Sequence, residues 1–333
     1  MKRRAALLFA AFGTVAARAR PAAAAQKITI TLPSLAPDEG PFLIADQKGY
    51  FNDEGLTATF VTAGGGIATP GLLSGSIDGS ASPSSALTAI LRGAPLRVVL
   101  VFEGSPSYEI WGQPDIHSLA DLKGKSIGIA TRGDTLEIAT RLALQAAGVS
   151  PDAVGYTPLG SGNGTRAALQ SGALPAVVIS PAGVVDMQEQ GLLKNAHLIA
   201  NLAGNVHMPV AGFAMAEKVL YGDPVLAKKM VRAIVKGARY EKAFKPETIA
   251  IAAVYQKADA NPRANAVEYD YFMRSTTRDL TFPSDLLAAD LAERATLIGL
   301  PRESVPPLDK VYDFSLAHAV NAELDSTHWK PAR

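Results

Sequence analysis

Pro41-Phe42-Leu43-Ile44-Ala45-Asp46-Gln47-Lys48-Gly49-Tyr50-Phe51-Asn52-Asp53-Glu54-Gly55-Leu56 reads as a helix held between two strands. Apolar and polar residues alternate from Ile28 to Leu32 before it and from Thr57 to Val61 after it, the period of a half-buried strand. Pro41 suits a first helical turn, Phe42, Leu43 and Ala45 form a set able to face a sheet, and Gly49 and Gly55 mark the exit. Tyr50 and Phe51 read as core. The stretch is therefore the first crossover of a βαβ unit, and the fold class is α/β.

The pattern continues outward from this unit. Leu72 to Ile77 recurs loosely as Leu169 to Leu174, with Gly75 echoed at Gly172, and each copy leads to a Ser-Pro pair, Ser82-Pro83 and Ser180-Pro181. In both, a helix ends at glycine, a short strand follows and Ser-Pro opens the next helix. Thr69-Pro70 reads as a cap and first turn. Leu96 to Phe102 is apolar enough for a buried strand, and Glu103 to Ser107 breaks the series with Gly and Pro. Asp121 to Ala130 reads as a helical turn, a glycine bend and a strand. A return crossing is expected at Asn201 to Pro209, then a strand from Val210 to Met215 and, from Asp223 onward, mostly helix.

The 41–56 and 121–130 segments resemble the solute-binding proteins of sulfonate, nitrate and taurine importers, a family that also holds thiamine-pyrimidine binders and synthases. The resemblance implies a two-lobed type II periplasmic-binding-protein fold with the ligand cleft between lobes. Lobe one would take residues 26–104, lobe two 105–207, and 208–333 would return to lobe one and add C-terminal helices.

Residues 1–25 have the form of a cleavable export signal: Lys2, Arg3 and Arg4, the apolar run Ala5 to Phe12, and Ala23-Ala24-Ala25. Periplasmic localisation follows. Arg3-Arg4 fits either twin-arginine export or an ordinary charged leader. Cleavage removes five positive charges and takes the formal charge from +1 to −4, which gives no basic footprint for nucleic acid. The chain has no cysteine, so disulfides and a lipoprotein anchor are excluded. No cofactor or metal is expected, His207 having no clustered partner.

Open α/β sheets bind ligands at the carboxyl ends of strands, so the candidate site lies in those loops. Lobe one offers Ser34, Leu35, Pro37, Gly65, Gly66, Ser82 and Ser84; lobe two offers Thr131, Arg132, Thr135, Ser161 and Ser180. Tyr108 and Trp111 are candidates for stacking, and His207 sits near the second crossing. Several loops lead into helices whose first N–H groups favour a small anion. Arg132 and Arg166 are arginines able to fork a carboxylate or sulfonate, or else solvated surface residues. Asp134 and Glu137 have capping-box spacing, which accounts for Asp134 without a ligand. Asp38, Glu39 and Glu103 oppose an anion and leave a zwitterion or aromatic heterocycle open.

The resemblance thus implies a monomeric, non-enzymatic binding component of an ABC importer, closing on a small organic solute and docking on a membrane permease. Its solute would be a sulfonate, taurine or nitrate-like anion, or a pyrimidine, other heterocycle or aromatic acid. A ligand-sensing partner of a membrane receptor uses the same fold. Synthase chemistry of the thiamine-pyrimidine kind needs a cysteine-rich segment that this chain lacks, and no G-x-S-x-G, HExxH or CxxC occurs.

Overall fold

A computed structural model describes residues 25–160, 162–193 and 195–333. Residues 1–24, nearly all of the expected export signal, and the candidate Ser161 lie outside the described residues. Two five-stranded sheets organise the chain. The first unit contains β1 (Gln26–Leu32), α1 (Gly40–Gln47), α2 (Tyr50–Asp53), β2 (Leu56–Thr62), α3 (Gly65–Ser74), β3 (Gly79–Ser80), α4 (Pro83–Leu91) and β4 (Leu96–Val101). The second contains β5 (Glu109–Gly112), β6 (Ser126–Ile129), α5 (Thr135–Ala146), β7 (Gly155–Pro158), α6 (Gly162–Ser171), β8 (Ala176–Ile179), α7 (Pro181–Glu189) and β9 (His197–Asn201). The chain then returns as β10 (Gly212–Ala216) and continues as α8 (Glu217–Leu220), α9 (Pro224–Ala243), α10 (Lys245–Gln256), α11 (Pro262–Ser275), α12 (Ser284–Leu297) and α13 (Ser315–Ser326).

Strand order is β2-β1-β3-β10-β4 in one sheet and β7-β6-β8-β5-β9 in the other. β1 is parallel to β2 and β3, with helical crossovers between them, while β10 enters antiparallel between β3 and β4. The second sheet repeats the scheme, with β6 parallel to β7 and β8 and β5 antiparallel to β8. The architecture is two-lobed α/β. Gly75 and Gly172 both take left-handed conformations, φ 85° and 71°, and each ends a helix before a short strand and a Ser-Pro helix start.

Sequence and structure differ at Thr69-Pro70. The helix runs through both residues from Gly65, because Ile67 and Ala68 already bond the Gly64 carbonyl upstream of the proline. Val210 and Ala211 belong to the crossing, and the strand begins at Gly212.

β4 is buried on every residue, and Phe42 of α1 stands edge-on to Phe102 at 5.5 Å, beneath the long amphipathic α9. Tyr50 and Phe51 are core, at 9% and 1% exposed. α9 approaches α1 closely at Gly237, where a Cβ would collide with the Pro41 carbonyl oxygen. Since backbone cannot swing aside as a side chain does, Gly237→Ala is expected to cost about 1–3 kcal/mol, read as a lower urea midpoint with unchanged slope.

The two lobes are joined by paired crossings. The Phe102 N–H bonds the Ala211 carbonyl at 2.8 Å, Val210 N–H bonds Glu103 at 3.0 Å, and Met208 N–H bonds Gly104 at 3.1 Å. On the other side of the outgoing crossing, Thr277 N–H bonds Phe102 and Gly104 N–H bonds the Ser275 carbonyl. C-terminal helices also reach the second lobe: Glu268 of α11 accepts from the Ala182 N–H of α7, and Glu293 of α12 pairs with Arg141 of α5.

Candidate ligand cleft between the lobes

A cleft of about 1500 Å³ lies between the lobes, lined by loops after β1, β2, β3 and the outgoing crossing on one side and by the loops after β6 and β7 on the other. The end of α4 with Arg92 just after it, Leu297 and Ile298 at the end of α12, and Glu268 of α11 complete the wall. This is the carboxyl-end position at which α/β sheets take ligands.

Carboxyl groups dominate its floor. Asp38, Glu103 and Glu268 all line the cleft, with Glu103 only 3% and Glu268 6% exposed. Glu39 and Glu241 are each 1% exposed, and one oxygen of each has no hydrogen-bond partner among the described residues. Burial drives every member upward. Glu103 is pushed up to about 8, first by burial and then by the Asp38 charge, against bonds from Ser107 and Ser275. Glu268 and Glu39 rise well above the usual carboxylate range through burial, and Asp38 adds to both. Ser107 Oγ donates to Glu103, and Ser275 Oγ donates to the same oxygen at 3.0 Å. Near neutral pH, Glu103 is therefore largely a carboxylic acid, able both to donate and to accept.

Two helix N-termini of the second lobe are already satisfied by the protein's own carboxylates. Asp134 caps α5, accepting from the Glu137 N–H at 3.0 Å and the Thr131 N–H at 2.8 Å, while Glu137 takes the Gly133 N–H. At α7, Ser180 Oγ accepts from Gly183 N–H and Glu268 from Ala182 N–H. An incoming anion would have to displace these bonds at both places. Arg132 lines the cleft, yet its guanidinium bonds Glu137 at 2.9 Å and is 57% exposed. Arg132→Ala is accordingly expected to change solute affinity by less than about 1 kcal/mol in calorimetry; a loss of about 2 kcal/mol would put an anion on this residue.

Residues 36–248, more than half of the chain, match the family described as NMT1/THI5 like. The chain belongs to the NMT1/THI5-like family. A curated relative, the riboflavin-binding protein RibY of Chloroflexus aurantiacus, is 28% identical over 217 residues, covering 59% of this chain and 57% of the relative's length. The chain thus spans little more than half of that relative. A solved protein from Bordetella bronchiseptica RB50 superposes with a TM-score of 0.75 at 21% identity, covering 90% of this chain and 98% of the other. The periplasmic nitrate-binding protein NrtA of Synechocystis PCC 6803 gives 0.71 at 16% identity, covering 90% and 89%. These two likenesses establish the shared fold.

In this NMT1/THI5-like chain, Gly66, Ser82, Ser84, Tyr108, Thr131, Arg132 and Thr135 line the cleft together. Ser82 precedes α4 without making a side-chain cap bond, whereas Ser84 Oγ accepts from the buried Arg294 at 2.7 Å. Gly65 is the first residue of α3. Gly64 and Gly66 do not have positive φ, and a Cβ at either would meet nothing within 4 Å, so these glycines leave space rather than permit a turn.

Other candidates fall outside the lining. Ser34 donates to Asp38 at 3.1 Å, which makes it a support for a cleft carboxyl. Leu35 packs on the first-lobe core and Pro37 is buried in a helical turn. Ser180 is a cap, and His207 borders a different cavity. Trp111 does not reach the cleft, because β5 directs it onto the small core of Ala168, Val177 and Met187 while its Nε1 bonds Glu109 at 2.7 Å. Arg166 faces Asp186 at 3.6 Å. Ser107 and Glu268 escaped sequence reasoning; Glu268 sits mid-helix with no motif around it.

Proposed function

We propose that the protein is the periplasmic solute-binding component of an ABC importer, and that its solute is a nitrogen heterocycle presenting N–H donors to Asp38, Glu103 and Glu268. The single observation that carries this reading is the trio of carboxyls lining the cleft, Glu103 and Glu268 buried and Asp38 half-buried, with two neighbouring helix N-termini already bonded by the protein's own carboxyl groups. A sulfonate or nitrate placed there finds Arg132 already paired with Glu137 and both helix ends already bonded, whereas an amide-like or amino N–H meets carboxyl acceptors in a desolvated setting. Tyr108 supplies a ring at the cleft wall, and the open glycines leave width for a planar ligand. The RibY relative binds a ring system of this kind by name, and NrtA an inorganic anion.

Export rests on the leader-like residues 1–25, and the absence of cysteine favours a freely diffusing rather than lipid-anchored form. The proposed partner is an inner-membrane permease, met by the closed monomer. Solute favours closure by its greater affinity for the closed arrangement, in which both lobes touch it.

A thermal-shift panel tests the reading. Riboflavin, thiamine and free pyrimidines are set against ethanesulfonate and nitrate; a bound solute at one hundred times its Kd stabilises by about 2.7 kcal/mol. At least one heterocycle is expected to raise Tm and to be recovered unchanged. A response confined to ethanesulfonate or nitrate would refute the heterocycle, and conversion of the solute would refute a pure binder.

A further inference from the structure

A second cavity of about 660 Å³ lies on the opposite side of the outgoing crossing, within the size range of small-molecule sites. Its walls come from both crossings, through Gly104, Ser105, Gly204 and His207, and from the segment that follows α11. Arg274 and Arg278 line it, and neither pairs with a carboxylate among the described residues. Arg274 lies against the Tyr271 ring at 5.1 Å and, like Arg278, is exposed at the cavity mouth. Lys242 Nζ binds the Thr277 carbonyl at 2.7 Å and adds a further positive charge beside the segment. The lining carboxylate, Asp279, is held by the N–H and hydroxyl of Thr281 at 3.2 and 2.7 Å.

We propose that this cavity is a second ligand site, taking a phosphate group between Arg274 and Arg278. Positive charge with unpaired forked donors, next to the Ser105 hydroxyl, is a donor set a tetrahedral oxyanion can use, while the Thr276 and Thr277 hydroxyls donate to the Met273 and Val101 carbonyls. The remaining volume admits an organic remainder. The two cavities are separated by one hydrogen bond, since Ser275 lines the second and donates at 3.0 Å to Glu103, which lines the first. Any effect of one ligand on the affinity of the other must be reciprocal.

The test is titration calorimetry of the mature protein with inorganic phosphate at neutral pH and constant ionic strength. Saturable binding is expected, weakened about tenfold or more in Arg274→Ala/Arg278→Ala and abolished in Arg278→Glu, with Arg302→Ala, an exposed arginine elsewhere, changing it less than about twofold. Circular dichroism melts establish that the variants are folded. The proposal is overturned if phosphate does not saturate, if the double variant binds as the wild type does, or if Arg132→Ala removes the binding, which would place the anion in the main cleft.

Discussion

Raising the pH from about 5 to about 8 is expected to lower the melting temperature of the free protein, with Glu103→Gln removing a large part of the loss. Glu103 releases its proton near 4.5 when unfolded and near 8 when folded. Between those values the unfolded chain has given up the proton while the folded chain holds it. Stability from this group is therefore full below about 4.5 and declines until about 8. Glu39, Glu241 and Glu268, also pushed upward by burial, act with the same sign. For Glu103 the effect is on the order of 3 kcal/mol. A glutamine keeps the shape and does not ionise, so the variant should match the wild type near pH 5 and exceed it near pH 8. Urea denaturation across this range is the measurement; parallel pH profiles for the two proteins would mean that Glu103 is not held protonated.

Glu293→Ala is expected to produce the second large effect, a loss of about 3 kcal/mol together with a more open molecule. Glu293 lies on α12, which also packs on α4 of the first lobe through the Arg294–Ser84 bond, and it reaches Arg141 of α5 at 3.2 Å and Gln145 at 2.7 Å. Both members of the ion pair are over nine-tenths buried, so removing the carboxylate leaves a guanidinium with the Tyr156 ring and, as its remaining carboxylate, the exposed Asp152. Such a contact joins the lobes only while they are together. Small-angle scattering should show a larger radius of gyration for the variant than for the wild type. An unchanged radius with lowered stability would make the pair a fastening within a rigid body and leave hinge motion to other contacts.

Much of the fold was legible because it rests on local signals. The 41–56 crossover is marked by proline, glycines and alternating strands, and the Gly75–Gly172 echo marks two helices ending in the same left-handed conformation. The start of α3 was not legible, since three glycines and an internal Pro70 are all breakers by propensity, and the helix forms only where tertiary packing of Ala68 and Leu72 outweighs them. The cleft was half legible. Loops after strands were identifiable by their order along the chain, which brought Ser82, Tyr108, Thr131 and Thr135 together, whereas Trp111 was misjudged because strand alternation, not proximity to the crossing, decides which face it takes. Glu268 is a helical residue whose position beside Asp38 and Glu103 arises solely from the way α11 packs between the lobes.

A cleft that selects N–H donors over anions is tested by calorimetry of thiamine, riboflavin, ethanesulfonate and nitrate against one protein sample. Saturable binding of a heterocycle is expected, weakened by about 2 kcal/mol or more in Glu103→Ala, with no heat of binding from either anion in the Arg274→Ala/Arg278→Ala protein, whose second cavity cannot hold one. For a cationic heterocycle, affinity should also rise as the pH passes upward through about 8, where Glu103 ionises. Saturable binding of ethanesulfonate or nitrate, strengthened by Glu103→Ala and lost in Arg132→Ala, would contradict that selection.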